Sequence, residues 1–207
     1  MVRPVADDFL LIRHGESTWN ARALWQGQGD PPLSERGRRQ AAALAARLAH
    51  EGIELLLASD LRRAAETAAI VGEAVGHAPR LDPRLRELDV GSWTGLGRDE
   101  IEAHDPELLA RFEAEDPDAR PGGGETRREI QQRVRRTFAE LAAHHAGRRV
   151  AVVTHLGVVR AITRGVELEN AAWVRLAMGG LRDGRAGGQR SAPPSAGSES
   201  GPTAPGR

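Results

Sequence analysis

The sequence predicts an α/β fold: a three-layer α/β/α sandwich with a mostly parallel central sheet. Three observations carry this expectation. Phe9-Leu10-Leu11-Ile12 and Val150-Ala151-Val152-Val153 are continuous apolar runs of the kind shown by strands buried on both faces. Between such runs lie longer stretches with apolar residues at helical spacing. The two kinds of segment alternate along the chain, as crossover connections in a parallel sheet require.

Taken in order, the first strand ends at Ile12 and is followed by a Gly/Pro-rich loop at 27–32. Ser34 is placed to cap a helix over about 35–50, with Leu44 and Leu48 on one face and Gly52 as its stop. Ile53 to Ala58 reads as a second strand, and Ser59 or Asp60 caps a helix over about 61–76. The stretch from Arg80 to Trp93 is irregular, with room for a short strand, and helical pieces follow between 97 and 115. Thr126 and Glu129 have capping-box spacing and open a helix to about His145. Its apolar stripe is Ile130, Val134, Phe138 and Leu141. The strand ending at Thr154, a short helix at 157–164 and a strand at 172–178 complete one domain, residues 1–181. Gly, Ser, Pro, Ala and Arg dominate 182–207, which predicts a disordered tail.

Composition removes several function classes. The 29 basic residues balance 29 acidic ones, so no global field steers the chain to nucleic acid or membrane. All the basic residues are arginine. There is no cysteine, which excludes disulfides, thiol nucleophiles and thiolate metal sites. No apolar run approaches the ~20 residues of a membrane span, and the N-terminus lacks an apolar targeting segment. A cytoplasmic location is the expectation.

Two histidines directly follow buried strands: His14 in Ile12-Arg13-His14-Gly15, and His155 in Val153-Thr154-His155-Leu156-Gly157. Ligands of open α/β sheets bind outside the carboxyl ends of the strands. A third strand leads into Arg62, in the first turn of its helix, where free N–H groups and the positive dipole end already favour an anion. If these strand ends converge, Arg13, His14, Arg62 and His155 make a cationic pocket suited to a phosphoryl group. Taken singly, each residue also has an ordinary reading, and Arg63 reads as a solvated neighbour of Arg62.

The stretch Leu11-Ile12-Arg13-His14-Gly15-Glu16-Ser17-Thr18-Trp19-Asn20 resembles the signature of the histidine phosphatase superfamily, the phosphoglycerate-mutase-like proteins. The resemblance continues through Leu33-Ser34-Glu35-Arg36-Gly37, Ser59-Asp60-Leu61-Arg62-Arg63-Ala64, Glu87, Gly123-Gly124-Glu125 and His155-Leu156-Gly157, and so covers roughly residues 8–180. It implies a phosphoglycerate-mutase-like fold and a phosphohistidine intermediate on His14, with Arg13, Arg62 and His155 clamping the transferred group and Glu87 as proton donor. It further implies that Asn20, Gln26, Gly27 and Leu156 contact substrate with Arg13 and Arg62. Glu125 is expected to support the pocket, and Glu16 its loop. No carboxylate cluster suited to Mg²⁺ is visible, so neither metal nor cofactor is expected. Relatives are often homodimers, so the resemblance admits that assembly.

Within the superfamily, mutases resemble one another in a His-Tyr pair after the acidic residue and in a downstream lysine. Here Leu88-Asp89 follows Glu87, and lysine is absent. Glu87-x-x-x-Gly91-x-Trp93-x-Gly95 instead resembles the phosphatase branch, which implies hydrolysis of small phosphomonoesters such as sugar phosphates or phosphoglycerates. Mutase-type transfer and a non-catalytic phospholigand-binding member are the alternatives. Trp25-Gln26-Gly27-Gln28-Gly29-Asp30 and Asn170-Ala171-Ala172-Trp173 resemble stretches of actinobacterial phosphatases acting on glucosyl-3-phosphoglycerate; an α-ribazole phosphate phosphatase stays open as well.

Overall fold

A computed structural model describes residues 7–163 and 165–182 of the chain. Five strands form one sheet in the order β3-β2-β4-β1-β5: β1 (Asp8–Arg13), β2 (Leu55–Ala58), β3 (Arg80–Leu81), β4 (Arg149–Thr154) and β5 (Trp173–Ala177). The first four run parallel, and β5 joins β1 antiparallel at the edge. β1 and β4 are central, which explains their continuous apolar runs: Phe9 to Ile12 and Val150 to Val153 are all fully buried.

Alternation along the strands separates two cores. Phe9, Leu11, Leu55, Leu57, Val150 and Val152 face one side. There they meet Ile130, Val134, Phe138 and Leu141 of α5 (Arg127–His144) and Val158, Val159 and Ile162 of α6 (Leu156–Thr163). Leu10, Ile12, Leu56, Ala58, Ala151 and Val153 face the other side. Their partners are Leu44, Ala45 and Leu48 of α1 (Glu35–Leu48) and Ala64, Ala68 and Val71 of α2 (Arg62–Val75). The three-layer expectation therefore holds for the described residues. The alanines of α1 and α2 let the two helices lie close on the sheet and on each other, since a methyl adds little thickness between backbones.

The irregular stretch after β3 becomes a series of 3₁₀ turns, then α3 (Arg98–His104) and α4 (Pro106–Glu113). Leu85, Trp93, Ile101, Leu109 and Phe112 pack this excursion onto the α5 side of the sheet. Trp25, Trp93 and Phe112 form an edge-to-face cluster with ring centroids 5.3–6.0 Å apart, joining the loop after β1 to the excursion. The caps follow the sequence. Ser34 Oγ accepts from the Gly37 amide, and Thr126 with Glu129 makes the reciprocal box at the start of α5.

The chain ends its described part in α7 (Gly179–Arg182), and no helix among the described residues is long and apolar enough to cross a membrane. The tail expected to be disordered lies, beyond Arg182, outside the described residues.

Candidate active site

The sheet order places three carboxyl ends side by side, β2, β4 and β1. The residues immediately after them are Ser59, His155 and His14. Backbone bonds hold these ends in register: the His14 amide donates to Thr154 O, and the Ser59 amide to Val153 O, both at 3.0 Å. The His14 and His155 rings consequently lie 5.1 Å apart between centroids, both buried.

Each ring has one nitrogen committed. His14 Nδ1 lies 2.6 Å from the carbonyl of Gly15. A carbonyl only accepts, so the hydrogen sits on Nδ1, and Nε2 keeps its lone pair with no protein partner among the described residues. His155 Nε2 lies 2.9 Å from Ser59 Oγ, which already receives the Leu61 amide. With the Leu61 amide on its oxygen, Ser59 has its hydroxyl hydrogen free for Nε2, and in that tautomer the ring hydrogen sits on Nδ1, a buried atom without a partner. Burial drives the pKa of both rings well below the usual histidine value, and the nearby guanidiniums of Arg63 and Arg13 add to the effect. Both are neutral at physiological pH.

The loop carrying His14 is fixed against α1 and α2. Gly15 packs so closely on Gly37 that a Cβ on Gly15 would meet the Gly37 carbonyl oxygen at 2.5 Å. The Gly15 amide donates to Thr67 Oγ1, and Ser34 Oγ donates to Glu16 Oε1. Glu16 also pairs with Arg36, so this carboxylate serves the loop.

Arg13 lines an open cavity of about 580 Å³, whose lining includes neither of the buried histidines His14 and His155. Its Nη1 donates to Leu168 O at 2.7 Å, and its buried Nε has no partner. The expected third cation needs correction. Arg62, the first residue of α2, turns outward with its side chain 57% exposed and pairs with Glu66 one turn along at 2.7 Å. Arg63, read from the sequence as solvated, is fully buried and lines the cavity. It donates to Gly29 O at 2.7 Å and Gly27 O at 2.9 Å, while its Nε is likewise unpartnered. Successive helical residues point about 100° apart, so one step along α2 separates the solvent face from the cavity. Burial lowers the Arg63 pKa to about 10, against the opposing pull of Glu87 and Asp30, and the residue stays charged.

Glu87 lies on the same cavity wall. Its Oε1 accepts from the Leu88 amide at 2.8 Å and its Oε2 from the Gly157 amide at 3.2 Å. A Cβ on Gly157 would sit 2.2 Å from Oε1, so only glycine admits the carboxyl there. Three ties hold the Glu87 segment. Thr154 Oγ1, at the end of β4, donates to Leu85 O. Arg133 donates to the carbonyls of Arg84, Arg86 and Glu87. Glu125 holds Arg133 in place through two charge-assisted bonds of 2.7 and 2.9 Å.

Gln26, Gly27 and Leu156 line the cavity as well. Asn20 is absent from that lining. Its Oδ1 accepts from the Ser17 amide and its own amide donates to Ser17 Oγ, which closes the turn after the His14 loop. Ser17 Oγ donates to Gln26 Oε1, and Asn170 Nδ2 to His14 O. Arg127, Arg160 and Gln131, which line the cavity from α5 and α6, were not expected from sequence. Arg127 and Gln131 share one face of α5 with Ile130, at the i, i+3, i+4 spacing that continues the core stripe, and this spacing was the available signal.

Taken together, neutral His14 offers a free nitrogen near Arg13 and Arg63, and the Glu87 carboxyl lies on the cavity wall that both arginines line. Three buried donors without partners, Arg13 Nε, Arg63 Nε and His155 Nδ1, belong to the residues around it. Such an arrangement can accept a phosphoryl group and hold its oxygens.

Comparison with known proteins agrees. A family model described as histidine phosphatase superfamily (branch 1) matches residues 9–182. Glucosyl-3-phosphoglycerate phosphatase of Mycobacterium tuberculosis is 38% identical over 181 residues, covering 83% of this chain and 80% of that protein. Metal-independent phosphoserine phosphatase of Arabidopsis thaliana is 39% identical over 158 residues, covering 75% of this chain and 66% of that protein. The solved structure of mycobacterial glucosyl-3-phosphoglycerate phosphatase with VO3 superposes with a TM-score of 0.76 at 36% identity, covering 83% of this chain and 93% of that one.

Proposed function

The chain belongs to the histidine phosphatase superfamily, and we propose that it hydrolyses small phosphomonoesters through a phosphohistidine on His14. The observation that carries this reading is the fixed Nδ1–H tautomer of a neutral His14, whose Nε2 lone pair faces no protein group.

In the first step Nε2 attacks phosphorus and the bond from phosphorus to the ester oxygen breaks. The departing alkoxide takes a proton from the Glu87 carboxyl and leaves as an alcohol. Arg13, Arg63 and His155 Nδ1–H hold the equatorial oxygens, where charge must be stabilised throughout. In the second step water attacks the phosphohistidine and gives its proton to the Glu87 carboxylate. The P–N bond breaks, and phosphate, neutral His14 and protonated Glu87 are restored.

Small organic phosphates fit the dimensions of the cavity, and the names of the relatives support a phosphorylated metabolite with glycerate or serine chemistry. Water is the favoured acceptor because the chain has neither lysine nor a His-Tyr pair after Glu87. The test is a panel of phosphomonoesters assayed with wild type and His14→Ala, together with trapping of an acid-labile phosphoenzyme. Phosphate release that needs His14, is blocked by orthovanadate and survives chelator is expected. Release that persists in His14→Ala would overturn the reading.

A further inference from the structure

Three arginines in the described structure share an unusual set of properties. Arg13, Arg63 and Arg127 each line the cavity, and each has a buried Nε without a partner. Each donates to backbone carbonyls, Arg13 to Leu168 O, Arg63 to Gly27 O and Gly29 O, and Arg127 to Phe112 O at 3.0 Å. None of them reaches a carboxylate within ion-pair distance among the described residues. Burial lowers the pKa of all three.

Two of these arginines flank His14 and are accounted for by the phosphoryl group. Arg127 enters the cavity from the start of α5 rather than from the strand ends, its guanidinium stacked 4.5 Å over the Phe112 ring. As the first residue of α5 it adds a cation where the helix dipole is already positive, a placement that disfavours folding unless an anion answers it. Its neighbours do not answer it. Arg160 is a like charge and takes Glu167 for itself in two bonds of 2.7 Å. Glu115 lines the same cavity and attracts Arg127 from beyond bonding distance.

We infer that Arg127 is a specificity-determining residue that binds a carboxylate on the leaving-group side of the phosphomonoester. This rests on the phosphatase reading above. One unpaired planar guanidinium matches one planar carboxylate. Trp25, Phe112 and Ile130 supply apolar walls for the carbon skeleton between the two anionic ends, and Gln131 a neutral polar group beside Arg127.

The experiment measures kcat/KM for two pairs of esters that differ in one carboxylate and bridge different lengths: 3-phosphoglycerate against glycerol 3-phosphate, and 4-carboxyphenyl phosphate against phenyl phosphate. Wild type is expected to favour the acidic member of at least one pair by about 10- to 100-fold, the range a charge-assisted contact supplies. Arg127→Gln should collapse that preference, mainly through KM of the acidic member. A structural role for Arg127, through its bond to α4, would depress both members of a pair alike, and that outcome overturns the inference. So does a preference that survives the substitution, or His14-dependent turnover with no preference in either pair. Hydrolysis that persists in His14→Ala overturns the phosphatase reading instead, and the two failures are thereby told apart.

Discussion

Paired arginines on the surface of this protein and three of the four arginines lining its cavity are held by different partners; the fourth, Arg160, pairs with Glu167. On the surface, Arg84 is bound by Asp82 and Glu140, Arg98 by Glu102 and Glu113, and Arg128 by Asp118. In the cavity, Arg13, Arg63 and Arg127 are held by carbonyl oxygens. A carboxylate orients a guanidinium and cancels its charge, whereas a carbonyl orients it and leaves the charge available. Arginine occurs in both places, so the partner rather than the residue type separates a tethered cation from one whose charge stays available.

The neighbours Arg62 and Arg63 offer the sharpest way to break this contrast. Arg63→Ala should lower kcat by about 10²- to 10³-fold, as loss of one transition-state donor does. Arg62→Ala should change it by no more than about threefold, as at other exposed positions. Arg63 also helps to hold the His14 pKa down. Its removal should therefore move the acidic limb of the kcat/KM profile to higher pH. Equal losses in the two variants would sink the distinction.

Gly157→Ala tests the carboxyl held by amides rather than by cations. The new methyl would overlap Glu87 Oε1, and displacement of the proposed proton donor should cost about 10²-fold in kcat. Full activity would mean that Glu87 is not needed where it stands.

A third comparison concerns stability. Arg133 combines the two modes, since it is paired with Glu125 and bonded to three carbonyls of the Glu87 segment. Arg133→Ala should destabilise by about 1–2 kcal/mol, because it strips two partly buried carbonyls and one exposed one of a charged donor. The exposed Arg128–Asp118 pair should be worth less than about 1 kcal/mol by the same denaturation assay.

The last effect is a slope with pH. His14 and His155 have folded pKa values depressed below the ordinary value near 6.5. Below that pH the unfolded chain binds protons that the native state refuses. Stability is therefore fully present above about pH 6.5 and declines as pH falls, by at most about 1.4 kcal/mol per pH unit for each histidine. Urea midpoints at pH 7.5, 6.5 and 5.5 would show a flat response if both rings were solvated and about half the slope if one were.

Much of the fold was legible in the chain. The central strands announced themselves because residues buried on both faces leave no polar positions, and helix starts at Ser34 and Thr126 followed from side chains that satisfy free amides. Helical pieces between 97 and 115 were legible, whereas Arg80 to Trp93 reads as irregular because its order comes from contacts such as the Trp25, Trp93 and Phe112 cluster, whose members are distant in sequence. At the site, His14, Arg13, Glu87 and His155 were nameable from motif and strand position. The choice between Arg62 and Arg63 was not, because a helix start is visible in sequence only to within a residue, and one residue turns the side chain by about 100°.

What the sequence alone determined is the layer plan, the strand ends that carry His14 and His155, and membership of a superfamily whose signature is local. Those features depend on periodicity and on residues adjacent in the chain. What only the tertiary structure decided is which arginine faces inward, which tautomer His14 adopts and which cations lack a carboxylate. Each of these depends on the carbonyl or carboxylate that folding brings within about 3 Å, often from a residue more than thirty positions away, as with Arg63 and Gly29. Hydrogen-bond partners are chosen by packing, and packing is not written in any one segment.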